Sequence, residues 1–400
     1  MLRPRAGFRE GARRGCCALA ALALTLSGQG AAAATLDVGP GAPYRSVAAA
    51  AAAARDGDTI EIAAGTYRED VAVFTQKRLT IRGVGGRVVL DAAGRVAEGK
   101  AIFVLRDGDY AVEGLEFRGA RADDQNGAGI RFERGKLAVR RCTFADNENG
   151  ILTGNDGAAE LLVEDSEFSQ APRDRGALKH LLYVGRIARF AITGSRLHQA
   201  FDGHLVKSRA RTSDVRYNLL YDGPEGRAAY ELEFPNGGKA IVVGNVIGQS
   251  ATTTNPVVVS FGAEGAVWPD NALYLVHNTL VSDRRWGAWF LRVFPANFPG
   301  GVPLVAVNNL TVGAGIFSLG ASGTFAGNFP VFAGSLGDLA TLDFTLGKGS
   351  WLRGSGETPP SLDGVSLAPT REFRLPVGTR DLAPQQTWTP GAFQSLDPRR

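Results

Sequence analysis

Residues 212–247 read TSDVRYNLLYDGPEGRAAYELEFPNGGKAIVVGNVI, and the same short motif occurs twice inside them. VRYNLL (215–220) and VVGNVI (242–247) share one pattern: apolar, two variable residues, an amide, one variable residue, apolar. The pattern extends in both directions. Upstream lie VEGLEF (112–117), VRRCTF (139–144), VEDSEF (163–168) and ITGSRL (192–197); downstream lie LVHNTL (275–280) and VNNLTV, which starts at 307. The small or amide position falls at Leu115, Cys142, Ser166, Ser195, Asn218, Asn245, Asn278 and Asn309, at intervals of 27, 24, 29, 23, 27, 33 and 31 residues.

A period that wanders between these values suits a parallel β-solenoid, whose corners absorb insertions, better than a helical repeat of fixed length. The strings between copies agree. AIFVL, GIRFE, LLVED, LLYVG, AIVVG, VVVSF and ALYLV are short, β-branched and bounded by Gly, Asn or Asp. Stacked coils would bring the Asn side chains into line, where each amide can bond the next. Cys142 shares that position with two serines and reads as a small corner residue rather than a reactive thiol. The fold expected is all-β: a single-stranded right-handed parallel β-helix over 35–400, with 316–400 as irregular final rungs and a C-terminal cap. An Ala-rich run at 46–55 is expected to form a capping helix that covers the open sheet edge at one end.

Composition limits the possible functions. Residues 1–34 carry an Arg-rich start, the apolar run CCALAALALTLSG and a small-residue stretch ending AAAA, the pattern of a cleaved signal peptide. They hold five Arg and one Glu, so the 44 basic and 40 acidic residues of the chain become 39 of each beyond them. A neutral remainder gives no electrostatic case for a nucleic-acid partner. The apolar run is too short to stay as a membrane span, and no second one follows. The expectation is a secreted or periplasmic monomer without a membrane span. One cysteine, Cys142, would then remain, which excludes an internal disulfide and a cysteine-ligated metal. P-loop and dinucleotide motifs are absent.

The string RDGDTIEIAAGTYRED (55–70) resembles the entry segment of pectate-lyase-like right-handed β-helix proteins, and the repeats resemble their rungs. WTPGAFQ (388–394) resembles the short closing strand of such chains. The resemblance implies a carbohydrate-active protein but no single activity, because the fold carries lyases, epimerases, hydrolases and non-catalytic surface proteins. Gly203-His204 matches one of the four elements of polygalacturonase-like hydrolases. Lys207-Ser208 matches the Lys-Ser fragment of chondroitinase-B-like and alginate-lyase-like members, although the acids here follow the lysine.

Counting back from the repeat position stacks Val184, Lys207 and Glu233 in successive rungs. Strand alternation then turns Lys207, Leu205, Glu231, Glu233, His180 and Leu182 outward, with Arg292 two rungs beyond the glutamates and His204 at the core or a corner. Two carboxylates two residues apart on one face suit a shared cation, so Glu231 and Glu233 are the expected calcium ligands. Lys207, Glu233, His180, His204 and Arg292 are the candidate catalytic residues. Tyr183, Arg209, Trp268 and Trp289 are the candidate substrate contacts, with Trp286 and Phe298 completing an aromatic wall. A uronate lyase or epimerase needs these residue types: a cation beside the sugar carboxylate acidifies the C5 proton, and a base removes it. Two other readings are consistent with the sequence. One is a non-catalytic carbohydrate-binding solenoid whose Lys–Glu pairs only support the rungs. The other is a glycoside hydrolase using Glu231 or Glu233 with a second carboxylate.

Overall fold

The computed structural model describes residues 33–174, 176 and 178–395. Residues 1–32 of the expected signal peptide lie outside them. One sheet of 29 strands, paired in parallel, winds into a coil of about ten turns. Each full turn lays one strand on each of three faces, so residues one turn apart in sequence become neighbours across a strand. The helix α1 (Val47–Ala53) is capped by the Ser46 side chain, which accepts from the Ala49 N–H. Its Val47, Ala50 and Ala51 join the core at the first turn.

The repeated motif is the corner that closes each turn. In every copy the residue before the small or amide position adopts the left-handed conformation: Gly114, Arg141, Asp165, Gly194, Tyr217, Gly244, His277 and Asn308 all have φ between 47° and 68°. The next residue then points inward. From Cys142 onward its backbone N–H donates to the same position one turn later: Cys142 to Ser166 Oγ, Ser166 to Ser195 Oγ, Ser195 to Asn218 Oδ1, Asn218 to Asn245 Oδ1, Asn245 to Asn278 Oδ1 and Asn278 to Asn309 Oδ1. The row runs one turn further than the sequence motif, since the Asn309 N–H donates to Asn328 Oδ1. From Cys142 to Asn309 these side chains are buried, and the row satisfies polar groups that would otherwise cost about 1–3 kcal/mol each. Cys142 is buried in this row, and its thiol is pushed up to about 12 by desolvation, which fits a packing role.

The interior is a column of large apolar side chains. Phe117, Phe144 and Phe168 stack at 5.0 and 4.6 Å between successive ring centroids, each on its own turn. The C-terminal segment departs from the sequence expectation in one respect. Residues 388–394 form no strand: Trp388 makes a single bridge with Gly356, and Ala392 packs in a core cluster with Leu310 and Val312.

One face carries the candidate site. Its strands β1 (Leu182–Val184), β2 (His204–Ser208), β3 (Tyr230–Phe234), β4 (Val257–Phe261) and β5 (Ala288–Val293) lie side by side. The pairing aligns Tyr183, Lys207, Glu233, Ser260 and Arg292 in one row. Leu182, Val206, Leu232, Val259 and Leu291 form the adjacent inward row, all fully buried.

Candidate functional site

The alignment of Lys207 with Glu233 is as the sequence suggests, but their neighbour one turn earlier is Tyr183, and Val184 aligns with Ser208. The sequence count is therefore one residue off at β1. Leu182 and Leu205, expected outside, are core residues. The reason lies at the start of these strands. Pairing joins His204 with Tyr230 and Val206 with Leu232 and skips the residues between, so Leu205 and Val206 both turn inward where the chain leaves the corner. Simple alternation fails over that step.

Glu231 shares the fate of Leu205. It is fully buried, and neither carboxylate oxygen has a hydrogen-bond partner among the described residues. Desolvation drives its pKa well above the ordinary carboxylate value, and the charge of Asp222 adds to this, so the group is held protonated. Glu233 faces the opposite side. The Glu231–Glu233 pair read as a calcium site does not form, nor can the two serve a hydrolase together. Among the described residues no group of three or more His, Cys, Asp and Glu side chains is placed to hold a metal.

Around Lys207 the charges converge. Its Nζ lies 3.4 Å from Glu233 Oε2 and 3.1 Å from Glu264 Oε1. Glu264 comes from the turn after β4 and also binds Arg209, whose Nη1 is 2.6 Å from Oε2. Arg209 is itself fixed by Tyr183 Oη at 3.0 Å and Asn236 Oδ1 at 2.6 Å. Burial works against its charge, but the bonds to Glu264 and Tyr183 prevail and raise its pKa. Glu264 moves down: burial raises it, and the bonds to Arg209 and Lys207 lower it by more. The cluster is thus a lysine and an arginine that jointly grip one ionised carboxylate, with the Tyr183 ring 5.9 Å beneath Lys207.

A histidine pair stands beside it. His180 and His204 stack at 4.6 Å, and their Nδ1 atoms are 2.7 Å apart. His180 Nδ1 also accepts the backbone N–H of His204, so it carries a lone pair. The proton between the rings therefore belongs to His204 Nδ1. Desolvation, then the nearby cations, push His180 down to about 3; desolvation and His180 push His204 well below its usual value, so both rings are neutral. That leaves a lone pair on His204 Nε2, which sits 3.4 Å from Glu233 Oε2. Desolvation raises the Glu233 pKa against the opposing pull of Lys207. Glu233, its pKa raised by burial, thus faces an acceptor nitrogen at a distance longer than a tight hydrogen bond.

The other expected residues divide. Arg292 is on the outward row, its guanidinium 4.8 Å from the Trp289 ring and 4.6 Å from Phe294. Trp268 uses its indole N–H to bond the Arg209 carbonyl at 2.9 Å, which pins the turn that presents Glu264. Phe298 is not a sugar-facing wall: it is buried and stacks on Phe261 at 5.4 Å. Trp286 is 83% exposed. The Gly203-His204 match has a packing cause, since a Cβ at Gly203 would sit 1.7 Å from the Lys179 carbonyl oxygen. Sequence reading missed Asn236, Tyr230 and Ser260 and left Glu264 as an ordinary loop acid. No local signal marks a residue that reaches the site from a turn.

Coil and corner row together define a parallel β-solenoid fold, with the charge cluster on one of its outward faces. Neither a protein-family model nor a curated protein sequence matches the chain. Among solved structures it is similar to the pectate lyase Pel9A, with 16% identity over 82% of this chain and 90% of that one and a TM-score of 0.60. An alginate lyase from Paenibacillus sp. str. FPU-7 also matches, with 16% identity over 74% and 99% of the two chains and a TM-score of 0.48. Among the described residues no helix is long and apolar enough to cross a membrane.

Proposed function

We propose that the protein is an exported, monomeric enzyme of polysaccharide lyase or epimerase type, acting on a uronate-containing polysaccharide along the β1–β5 face. The observation that carries this reading is the grip of Lys207 and Arg209 on the Glu264 carboxylate. Two cations arranged to hold one carboxylate are suited to hold that of a uronate sugar in its place.

In this reading the sugar displaces Glu264. Arg209, held by Tyr183 and Asn236, neutralises the substrate carboxylate and makes the C5 proton acidic. Lys207, released from Glu264 and acting as the free amine once its ammonium has given a proton to solvent, takes that proton and becomes the ammonium again. For elimination the C5–H electrons form the C4–C5 double bond, the C4–O bond breaks, and the departing oxygen takes a proton. In its acid form Glu233, a carboxyl whose pKa burial raises, supplies that proton, and His204 Nε2 receives or returns it. An epimerase would use the same first step and return a proton to C5. Calcium has no part assigned to it here, because Glu231 and Glu233 do not share a space.

A non-catalytic binding solenoid is the second reading, favoured by the fact that Lys207 and Arg209 are already paired with an acid. The test is a lyase assay on residues 35–400 with polyuronates and glycosaminoglycans, reading the ultraviolet absorbance of the unsaturated product. Product formed by the wild type and lost in Lys207→Ala supports elimination at this site. Folded protein that yields no product and no epimerised uronate on any polymer favours the binding reading.

A further inference from the structure

Of Lys207, Arg209 and Arg292, the cations around the Lys207 row, two hold acids. Lys207 contacts Glu233 and Glu264, and Arg209 contacts Glu264. Arg292 differs: among the described residues no carboxylate, carbonyl or hydroxyl bonds its guanidinium. Elsewhere on the coil, cations find acids one rung away, as Arg82 does with Glu61 and Arg140 with Glu164. At Arg292 the rung neighbour is Ser260.

Arg292 is nevertheless well held. The Trp289 and Phe294 rings lie 4.8 and 4.6 Å from its guanidinium carbon. Cation–π contacts fix the guanidinium against these rings while supplying none of the oxygen acceptors that its five N–H groups need. Ser260 is fully buried on the same outward row, between Glu233 and Arg292, and among the described residues its Oγ has no partner. The Trp289 Nε1 donor is likewise buried and unpartnered. A buried hydroxyl, an indole N–H and an arginine that share a pair of adjacent strands, all without acceptors, are the chemistry of an anion site.

We propose that Arg292, with Ser260, is a second carboxylate subsite, which takes a uronate of the same polymer chain whose reacting sugar lies at Lys207 and Arg209. The inference rests on the function proposed above and extends it to the length and charge pattern of the substrate. Lys207 and Arg292 are three rungs apart on one row, about 14 Å at the usual strand spacing. One sugar ring cannot span that distance, whereas an extended run of several uronates along the coil axis can. The site therefore selects contiguous acidic sugars over isolated ones.

The test uses the mature chain carrying Lys207→Ala, so that nothing is turned over, and measures calorimetric binding of uronate oligosaccharides of increasing length. Affinity is expected to rise where the chain becomes long enough to reach Arg292. Arg292→Ala should abolish that rise, a loss of tenfold or more for the longest oligomer, and leave the disaccharide unchanged. Arg292→Lys should recover only part of the rise, because an ammonium lacks the planar donor fork. Circular dichroism checks that each variant is folded. Unchanged binding of the longest oligomer in Arg292→Ala, or an equal loss for the disaccharide, overturns the subsite and leaves the proposed function standing. Binding of no uronate at any length overturns both, and binding without any product from the wild type overturns the elimination chemistry alone.

Discussion

Glu231 and Glu233 are two residues apart on one strand and face opposite sides of the coil wall. Glu233 meets Lys207 at 3.4 Å on the outward face, while Glu231 sits fully buried with neither carboxylate oxygen partnered among the described residues. The corner step ahead of β3 separates them, and their chemistry diverges accordingly.

Glu231→Gln is expected to stabilise the protein at neutral pH. The folded pKa of Glu231 is raised, so the native state binds the proton more tightly than the unfolded chain does. The stability this gives is complete below the ordinary value of 4.5 and is lost as pH rises through the folded pKa. Gln mimics the neutral acid and cannot ionise. Melting temperatures should agree at pH 4 and diverge in favour of the variant by pH 8. A variant no more stable than wild type at pH 8 contradicts the assignment.

Lys207→Ala should lower turnover by about 10²–10⁴-fold, the range for loss of a general base. Glu233→Gln should cost turnover with little change in KM, since the amide keeps a donor but has no proton to transfer. Product absorbance against substrate concentration separates the two effects.

Glu264→Ala frees Lys207 and Arg209 together. Because Glu264 is 44% exposed on its side chain, the fold should survive. KM for a polyuronate should fall several-fold and become more sensitive to salt, as expected when two cations lose their internal counter-ion. A KM that rises assigns Glu264 to substrate binding instead.

Elimination should persist in a chelator, because charge neutralisation is assigned to Arg209. Activity lost in EDTA and restored by calcium would give that role to a cation.

Asn245→Leu should destabilise the coil while leaving the Lys207 cluster in place. Asn245 Oδ1 accepts from the Asn218 backbone and side chain, and its Nδ2 donates to Val215, Val243 and Asn278. Each buried group left unpaired costs about 1–3 kcal/mol. Urea unfolding measures the loss, and a change within error of zero would deny the row its structural weight.

The repeat determined the coil because a corner has strict local needs: a residue able to take positive φ, then a small or amide side chain that fits inside and bonds its neighbour. Those needs recur in the chain as VRYNLL and VVGNVI, so fold, Asn row and the Lys207–Glu233 alignment were legible from residue order. Alternation misplaced Leu182, Leu205 and Glu231, because it is a rule for the middle of a strand and these residues lie where the chain leaves a corner. Asn236 and Glu264 were invisible as partners of Arg209 because they approach from turns one and two rungs on, with no fixed spacing to betray them. The tertiary structure alone decided which carboxylate is buried, which is gripped by two cations, and that Arg292 is left with aromatic rings and no acid. Burial and charge pairing are set by what stacks beside a residue, and stacking partners here lie a full turn of chain away.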